Sequence, residues 1–262
     1  MSFNPQSAIR NPQSPELRLI GVPGMPEVEA GNPLPSLIVE CVRAAGIQVV
    51  EGDVFVVAQK VVSKAEGRTV QLAGVEPREL ARDWAARYDK DPRMVEVVLQ
   101  EARRIVRMER GVLIAETHHG FVCANAGVDA SNVAADVVTL LPLDADQSAR
   151  DIRARLEREF NTRVAVIVSD TFGRPWREGI TNVAIGVAGI APLIDYRGQA
   201  DSHGRPLKVT VIAIADELAS AAELVMKKTT GVPVAIIRGV DYMAREASGR
   251  ELIRLPEMDL FR

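Results

Sequence analysis

Apolar residues follow two patterns along this chain, short continuous runs and helical spacing. Val54–Ala58, Val164–Val168 and Pro233–Ile237 are short apolar runs bounded by polar or turn residues. Runs of that length predict strands buried on both faces. Leu17–Ile20 and Val209–Ile214 read as further strands. Helical spacing is clear in Leu34 to Ala45, with Leu37, Ile38, Cys41 and Val42 on one face. A second helix is expected over residues 77–88. A third opens with Asp91 as cap and Pro92 in the first turn, and carries Met94, Val97, Val98, Ala102 and Ile105. A fourth, capped by Asp146 or Ser148, carries Ile152, Leu156 and Phe160. Ala215 to Met226 turns Leu218, Ala222 and Val225 inward.

Val112–Ala115 and Phe121–Ala124, split by Thr117-His118-His119-Gly120, predict a β-hairpin. The alternation of strands and helices makes the class α/β to α+β mixed, a mixed sheet with flanking helices. Residues 1–16 are polar and Pro-rich and read as a flexible N-terminal arm; residues 17–262 read as one unit, or two closely joined subdomains.

Composition narrows the picture. At 47% hydrophobic and 26% charged residues there is material for a real core, and aromatics at 4% leave it to Val, Ile, Leu and Ala. A net charge of −3 argues against a nucleic-acid partner. No apolar run reaches the ~18 residues of a membrane span. The N-terminus lacks a signal h-region, so a cytoplasmic setting is expected. Cys41 and Cys123 are too few for a disulfide framework and are expected in the core.

Three polar stretches follow apolar strands and are expected to be loops: 59–68, 125–132 and 170–178. Ligands of α/β proteins gather at such strand ends. The first stretch offers Lys60, Lys64 and Arg68, cations suited to phosphate. The others offer Asp129 and Asp170, hard oxygen ligands for Mg²⁺ or Mn²⁺, with Asn132 and Thr171 adding neutral oxygens. An Asp at a strand end is also a common turn former or cap. Neither the Walker A pattern nor G-x-G-x-x-G occurs. His118 and His119, adjacent in a strand, would face opposite sides and could not share one ion. The arginines of 146–160 read as a solvated face, and Lys227-Lys228-Thr229-Thr230-Gly231 as a turn.

Four segments carry a family resemblance. They are Gly52-Asp53 through Ser63-Lys64-Ala65-Glu66-Gly67-Arg68; His119-Gly120-Phe121 through Gly127-Val128-Asp129-Ala130-Ser131-Asn132; Val168-Ser169-Asp170-Thr171-Phe172-Gly173-Arg174-Pro175-Trp176-Arg177; and Val183 to Gly189. From about Leu17 to Gly239 the chain resembles the coenzyme F420-0:L-glutamate ligase (F420 gamma-glutamyl ligase) family. The length suits its stand-alone form, without the C-terminal nitroreductase-like domain some relatives carry. The resemblance implies a homodimeric, GTP-dependent ligase that joins L-glutamate to coenzyme F420-0 through an acyl phosphate, with further γ-linked glutamates in some members. It implies Mg²⁺ or Mn²⁺, assisted by K⁺. Carried over residue by residue, Asp129 and Asp170 match the divalent-ion position, and Thr171 a second ion. Nucleotide contacts match Val22, Pro23, Gly24, Met25, Gln59, Lys60, Lys64, Asn132 and the segment Met226, Lys227, Lys228, Thr229, Thr230, Gly231 and Val232. Asp129, Asp170 and Lys64 match the catalytic set. Archaeal relatives carry an acidic residue in the last loop, where this chain has Lys227 and Lys228, so lysine charge is expected near the phosphates there. Arg174 and Arg177 are candidate partners for substrate anions. By the residues alone, a metal-dependent phosphohydrolase or a deazaflavin-binding scaffold remains open.

Overall fold

The computed structural model describes residues 16–131 and 134–260. Asn132 and residues 1–15 of the expected arm lie outside the described residues. In chain order the elements are β1 (Arg18–Gly21), α1 (Leu34–Ala44), β2 (Val54–Ala58), α2 (Gln59–Ala65), β3 (Thr69–Gln71), α3 (Glu79–Tyr88) and α4 (Pro92–Glu101). Then come β4 (Ala102–Glu109), β5 (Val112–Thr117), β6 (Val122–Ala124), β7 (Val137–Thr139), α5 (Ala145–Phe160), β8 (Ala165–Arg174) and β9 (Arg177–Ala188). The last are β10 (Ile194–Asp195), β11 (Val211–Ile212), α6 (Ile214–Met226) and β12 (Val234–Arg238).

The main sheet has the order β1-β12-β2-β8-β9. Only β2 and β8 run parallel; the other neighbours are antiparallel, so the sheet is mixed as expected. Strand alternation sends Phe55, Val57, Val166 and Val168 to a core under α1 and α5, and Val54, Val56, Ala165 and Ile167 to a core under α6. The stretches Val54–Val57 and Ala165–Val168 are therefore apolar at every position, which is why these runs show no period-2 pattern. A third core packs α3 and α4 on β5 through Trp84, Val97 and Leu113. Cys41 and Cys123 are buried as expected.

Four expectations are corrected. The third helix ends at Glu101 and passes straight into β4. Ala102, Ile105 and Met108 all reach the third core because two register shifts interrupt β4, so bulges imitate helical spacing. The N-cap of α5 is Asp144, which accepts from Gln147 N at 2.9 Å. Asp146 instead accepts from the backbone N–H groups of Val187 and Gly249, each at 2.8 Å, tying α5 to β9 and to the C-terminal segment. Gly186 permits that docking, since a Cβ there would stand 2.3 Å from the Ala145 carbonyl carbon. The strand expected over 209–214 shrinks to Val211–Ile212, because Ile214 already opens α6.

The fourth correction concerns the polar stretches. Residues 59–65 form α2, not a loop; Gln59 Nε2 donates to Ser63 Oγ at 2.6 Å and to Leu140 O at 2.8 Å, pinning its first turn. Residues 170–178 belong to a long β8–β9 hairpin that pairs as far as Arg174 with Arg177. Glycine, proline and exposed charge gave that stretch a loop-like composition, but ladder pairing with β9 overrides it.

Candidate active site

A cleft of about 620 Å³ opens at the carboxyl ends of the two parallel strands. The β2 end leads into α2, which presents Gln59, Lys60 and Lys64. The β8 end presents Ser169, Asp170 and Thr171. Asp129 enters from the segment after β6, held by paired backbone hydrogen bonds with Thr139 at 3.0 and 2.8 Å. Met226, Lys227, Lys228, Thr229, Gly231 and Val232, following or ending α6, close the far side.

Most sequence-predicted site residues thus converge. Of 22–25, Met25 lines the cleft, whereas Val22 is core and donates its N–H to Val234 O at 2.9 Å. Pro23 and Gly24 are exposed beside it. Thr230 turns its hydroxyl back to the Met226 carbonyl. Neither histidine reaches the cleft or lies in a strand. Both sit in the β5–β6 turn, where His118 Nε2 bonds Gln100 O at 3.3 Å and His119 Nε2 bonds Leu143 O at 3.1 Å. Arg174 and Arg177 lie at the exposed end of the hairpin.

On the α2 side, Lys60 Nζ stands 2.8 Å from Asp129 Oδ2 and bonds the Ser131 hydroxyl. Ser131 also donates its backbone N–H to Asp129 Oδ1 at 2.7 Å. Burial pushes the Asp129 carboxyl up, but Lys60 and Ser131 outweigh it and hold it below the usual carboxylate range. Asp170 has the opposite balance. Burial pushes it up to about 6, and the nearby Asp129 charge adds to the rise. The Thr171 N–H, at 2.7 Å, and the Lys60 and Lys228 charges pull the other way without winning. Cys123 lies near enough for the Asp170 charge to be felt; burial first, and Asp170 second, push its thiol up to about 12, leaving it inert.

Among the lining residues that escaped the sequence reading are Glu27, which pairs with Lys64, and Ser169, Asn182 and Glu223. Asn182 and Glu223 come from β9 and α6, far from any recognisable motif. Ser169 is 2% exposed, and its Oγ has no hydrogen-bond partner among the described residues. A buried hydroxyl left so in the cleft lining is open to a partner from water or a bound ligand.

The donor set suits a hard cation. Among the described residues no three His, Cys, Asp or Glu side chains converge. Mg²⁺ asks for less, since it is commonly held by one or two carboxylates with water and phosphate oxygens completing its shell. Asp129 and Asp170 meet that need, and the neighbouring lysines would meet the phosphates.

Fold and cleft together define a mixed α/β protein with carboxylates and ammonium groups gathered at parallel strand ends, where ligands of such sheets bind. The F420-0:gamma-glutamyl ligase family model matches residues 24–239. The chain is 45% identical over 94% of its length to the coenzyme F420:L-glutamate ligase of Methanothermobacter thermautotrophicus, covering 99% of that protein. It is 46% identical over 95% of its length to the protein of that name from Methanopyrus kandleri, covering 98% of it. A third, from Methanocaldococcus jannaschii, is 46% identical over 81% of this chain and 85% of the relative. The chain belongs to the F420-0:gamma-glutamyl ligase family.

Proposed function

We propose that this enzyme joins L-glutamate to coenzyme F420-0 with GTP as the energy source, through an acyl phosphate. The observation that carries the reading is the pairing of Asp129 and Asp170 beside Lys60 at the strand ends, in a chain similar along nearly its whole length to named ligases. Among the described residues no helix is long and apolar enough to cross a membrane.

The substrate carboxylate attacks the γ-phosphorus, GDP departs, and the acyl phosphate forms. The glutamate amine then attacks the acyl carbon, inorganic phosphate leaves, and an amide remains. Both reactants of the first step are anions, so positive charge must be supplied where they meet. Mg²⁺ or Mn²⁺, held by Asp129 and Asp170, would offset phosphoryl charge. Lys60 and Lys64, one turn apart on α2, both line the cleft; Lys60 pairs with Asp129 and Lys64 with Glu27, and each would turn from that carboxylate to a bound phosphate. Gln59 anchors α2 through Leu140 and Ser63. Met25, Lys227, Thr229, Gly231 and Val232 contact the remainder of the nucleotide, and Asn132 belongs to the same proposed set. The Ser169 hydroxyl donates to an oxygen of the bound substrates. A homodimer in the cytoplasm belongs to the same proposal. Trp176 and Ile180, 80% and 65% exposed on the hairpin, offer apolar surface that a second copy would cover.

Incubation with F420-0, GTP, glutamate and Mn²⁺, read by mass spectrometry, tests this. The expected product is heavier by one or more glutamyl units. Phosphate release that needs neither glutamate nor F420-0 would replace the reading with a phosphohydrolase.

A further inference from the structure

The α6 side of the cleft holds a cluster of oxygens gathered around one ammonium group. Lys228 Nζ lies 2.6 Å from Thr171 Oγ1, 3.3 Å from Glu223 Oε1 and 3.4 Å from Asn182 Oδ1. These oxygens come from three elements: β8, α6 and β9. They are also tied to one another. The Thr171 hydroxyl donates to Asn182 Oδ1 at 2.7 Å, and Asn182 Nδ2 donates to Glu223 Oε2 at 3.0 Å. Asn182 is 4% exposed, so the cage is built into the sheet and does not depend on the lysine for its shape.

The charge of the cage is informative. It contains one carboxylate and two neutral oxygens, which together match a single positive charge. An ammonium ion and a hydrated-shell-shedding monovalent cation make similar demands on such a cage: several oxygens at hydrogen-bond distance and one net negative charge. The lysine stem delivers that cation from the end of α6 at no cost in free-ion concentration. The charge reaches across the strand, since Asp170 on the opposite face feels Lys228.

We propose that the Lys228 ammonium is a tethered monovalent cation that fills the Thr171–Asn182–Glu223 cage, so that this wall of the active site needs no free cation. Its place in catalysis rests on the ligase reading above; the cage itself does not. The proposal makes K⁺ assistance unnecessary in the wild type and creates a need for it when the tether is cut. It also assigns Thr171 to the lysine and leaves the divalent ion to Asp129 and Asp170.

Thermal unfolding of Lys228→Ala tests it, in NH₄Cl or KCl against tetramethylammonium chloride at equal ionic strength. The small cations are expected to raise Tm of this variant by about 3 °C at concentrations tenfold above their Kd. The wild type should not distinguish the salts. Lys228→Met keeps an uncharged stem in the cage and should not distinguish them either. A salt-specific rise in Lys228→Ala alone supports the cage. No rise in Lys228→Ala, or equal rises in all three proteins, overturns it. A second arm reads glutamyl transfer. Wild-type rates should be equal in Na⁺ and K⁺ buffers, while Lys228→Ala should lose about tenfold in Na⁺ and recover in K⁺ or NH₄⁺. If the ligase reading fails, no salt yields product from any variant while the Tm difference persists; if only the cage fails, wild-type product forms and the Tm difference is missing.

Discussion

Asp170 and Thr171 are neighbours on one strand, yet they face opposite walls of the cleft. Asp170 shares the face of Val166 and Val168, whereas Thr171 shares that of Ala165 and Ile167. On the Asp170 wall Lys60 of α2 pairs with Asp129 at 2.8 Å, while Asp170 feels the Lys60 charge without an ion pair to it. On the Thr171 wall one carboxylate meets one lysine. The first wall buries a carboxyl, and that burial, with the Asp129 charge adding to it, raises the Asp170 pKa. The second is balanced and closed by its own hydrogen bonds. A strand that alternates its side chains can therefore place a cation-demanding wall and a self-sufficient wall one residue apart.

The largest expected effect comes from removing the demand itself. Asp170→Asn should lower glutamyl transfer by roughly 10³-fold, because a transition-state charge contact worth several kcal/mol is lost. The same change should raise the Tm of the metal-free protein by a few degrees. Its native carboxyl is destabilised by burial, a cost of roughly 3 kcal/mol at neutral pH for a shift of that size. Opposite signs in an activity assay and an unfolding scan would show that the wall trades stability for function. Wild-type turnover in the variant would break the comparison.

A pH series sharpens it next. A carboxyl raised to about 6 in the fold holds its proton there while the unfolded chain releases it near pH 4. Metal-free stability should therefore fall as pH rises from about 4 to about 6, and then level off as far as this group is concerned. Protons and metal compete for the ionised form, so divalent affinity should weaken about tenfold per unit below pH 6. Mn²⁺ titration by calorimetry reads this directly. The slope should vanish in Asp170→Asn.

Lys60→Met tests the asymmetry from the other side. It leaves Asp129 without its ammonium partner, so nucleotide binding should weaken about tenfold while divalent affinity rises. Titrations of GDP and Mn²⁺ separate the two. A fall in both would mean that Lys60 only supports the local fold. The smallest effect is expected at the turn histidines. His118→Ala and His119→Ala should leave transfer within about twofold of the wild type, since each ring hydrogen-bonds a carbonyl outside the cleft lining and His119 adds only a stack on Phe121.

Much of this site was legible in the chain. Lys60, Lys64 and Asp170 stand after apolar runs that become the parallel strands β2 and β8, which bring such positions to one edge, while Asp129 follows β6 and the 226–232 segment follows α6. Glu223 was hidden because it looks like any polar position on an amphipathic helix. Asn182 was hidden because β9 was not separable from its loop-like neighbourhood. Ser169 reads as the last residue of a buried run. Only its position, shut in and without a partner among the described residues, sets it apart.

Local pattern by itself determined the central strands, α1, the Asp91-capped start of α4, the β5–β6 hairpin, the apolar cores and the polar character of the strand ends. Those features depend on side-chain period, caps and burial, which act over a few residues. The tertiary structure alone decided that 59–65 is a helix, that β4 begins where α4 stops, and that 170–178 is half of a hairpin. In each case long-range pairing or packing outweighs a weak local preference. It alone also decided which face each strand-end residue takes. That last choice put Asp129 and Lys60 beside Asp170, and Glu223, Asn182 and Lys228 around Thr171. Opposite faces of one strand are adjacent in sequence but separate in space, and only the packed sheet distinguishes them.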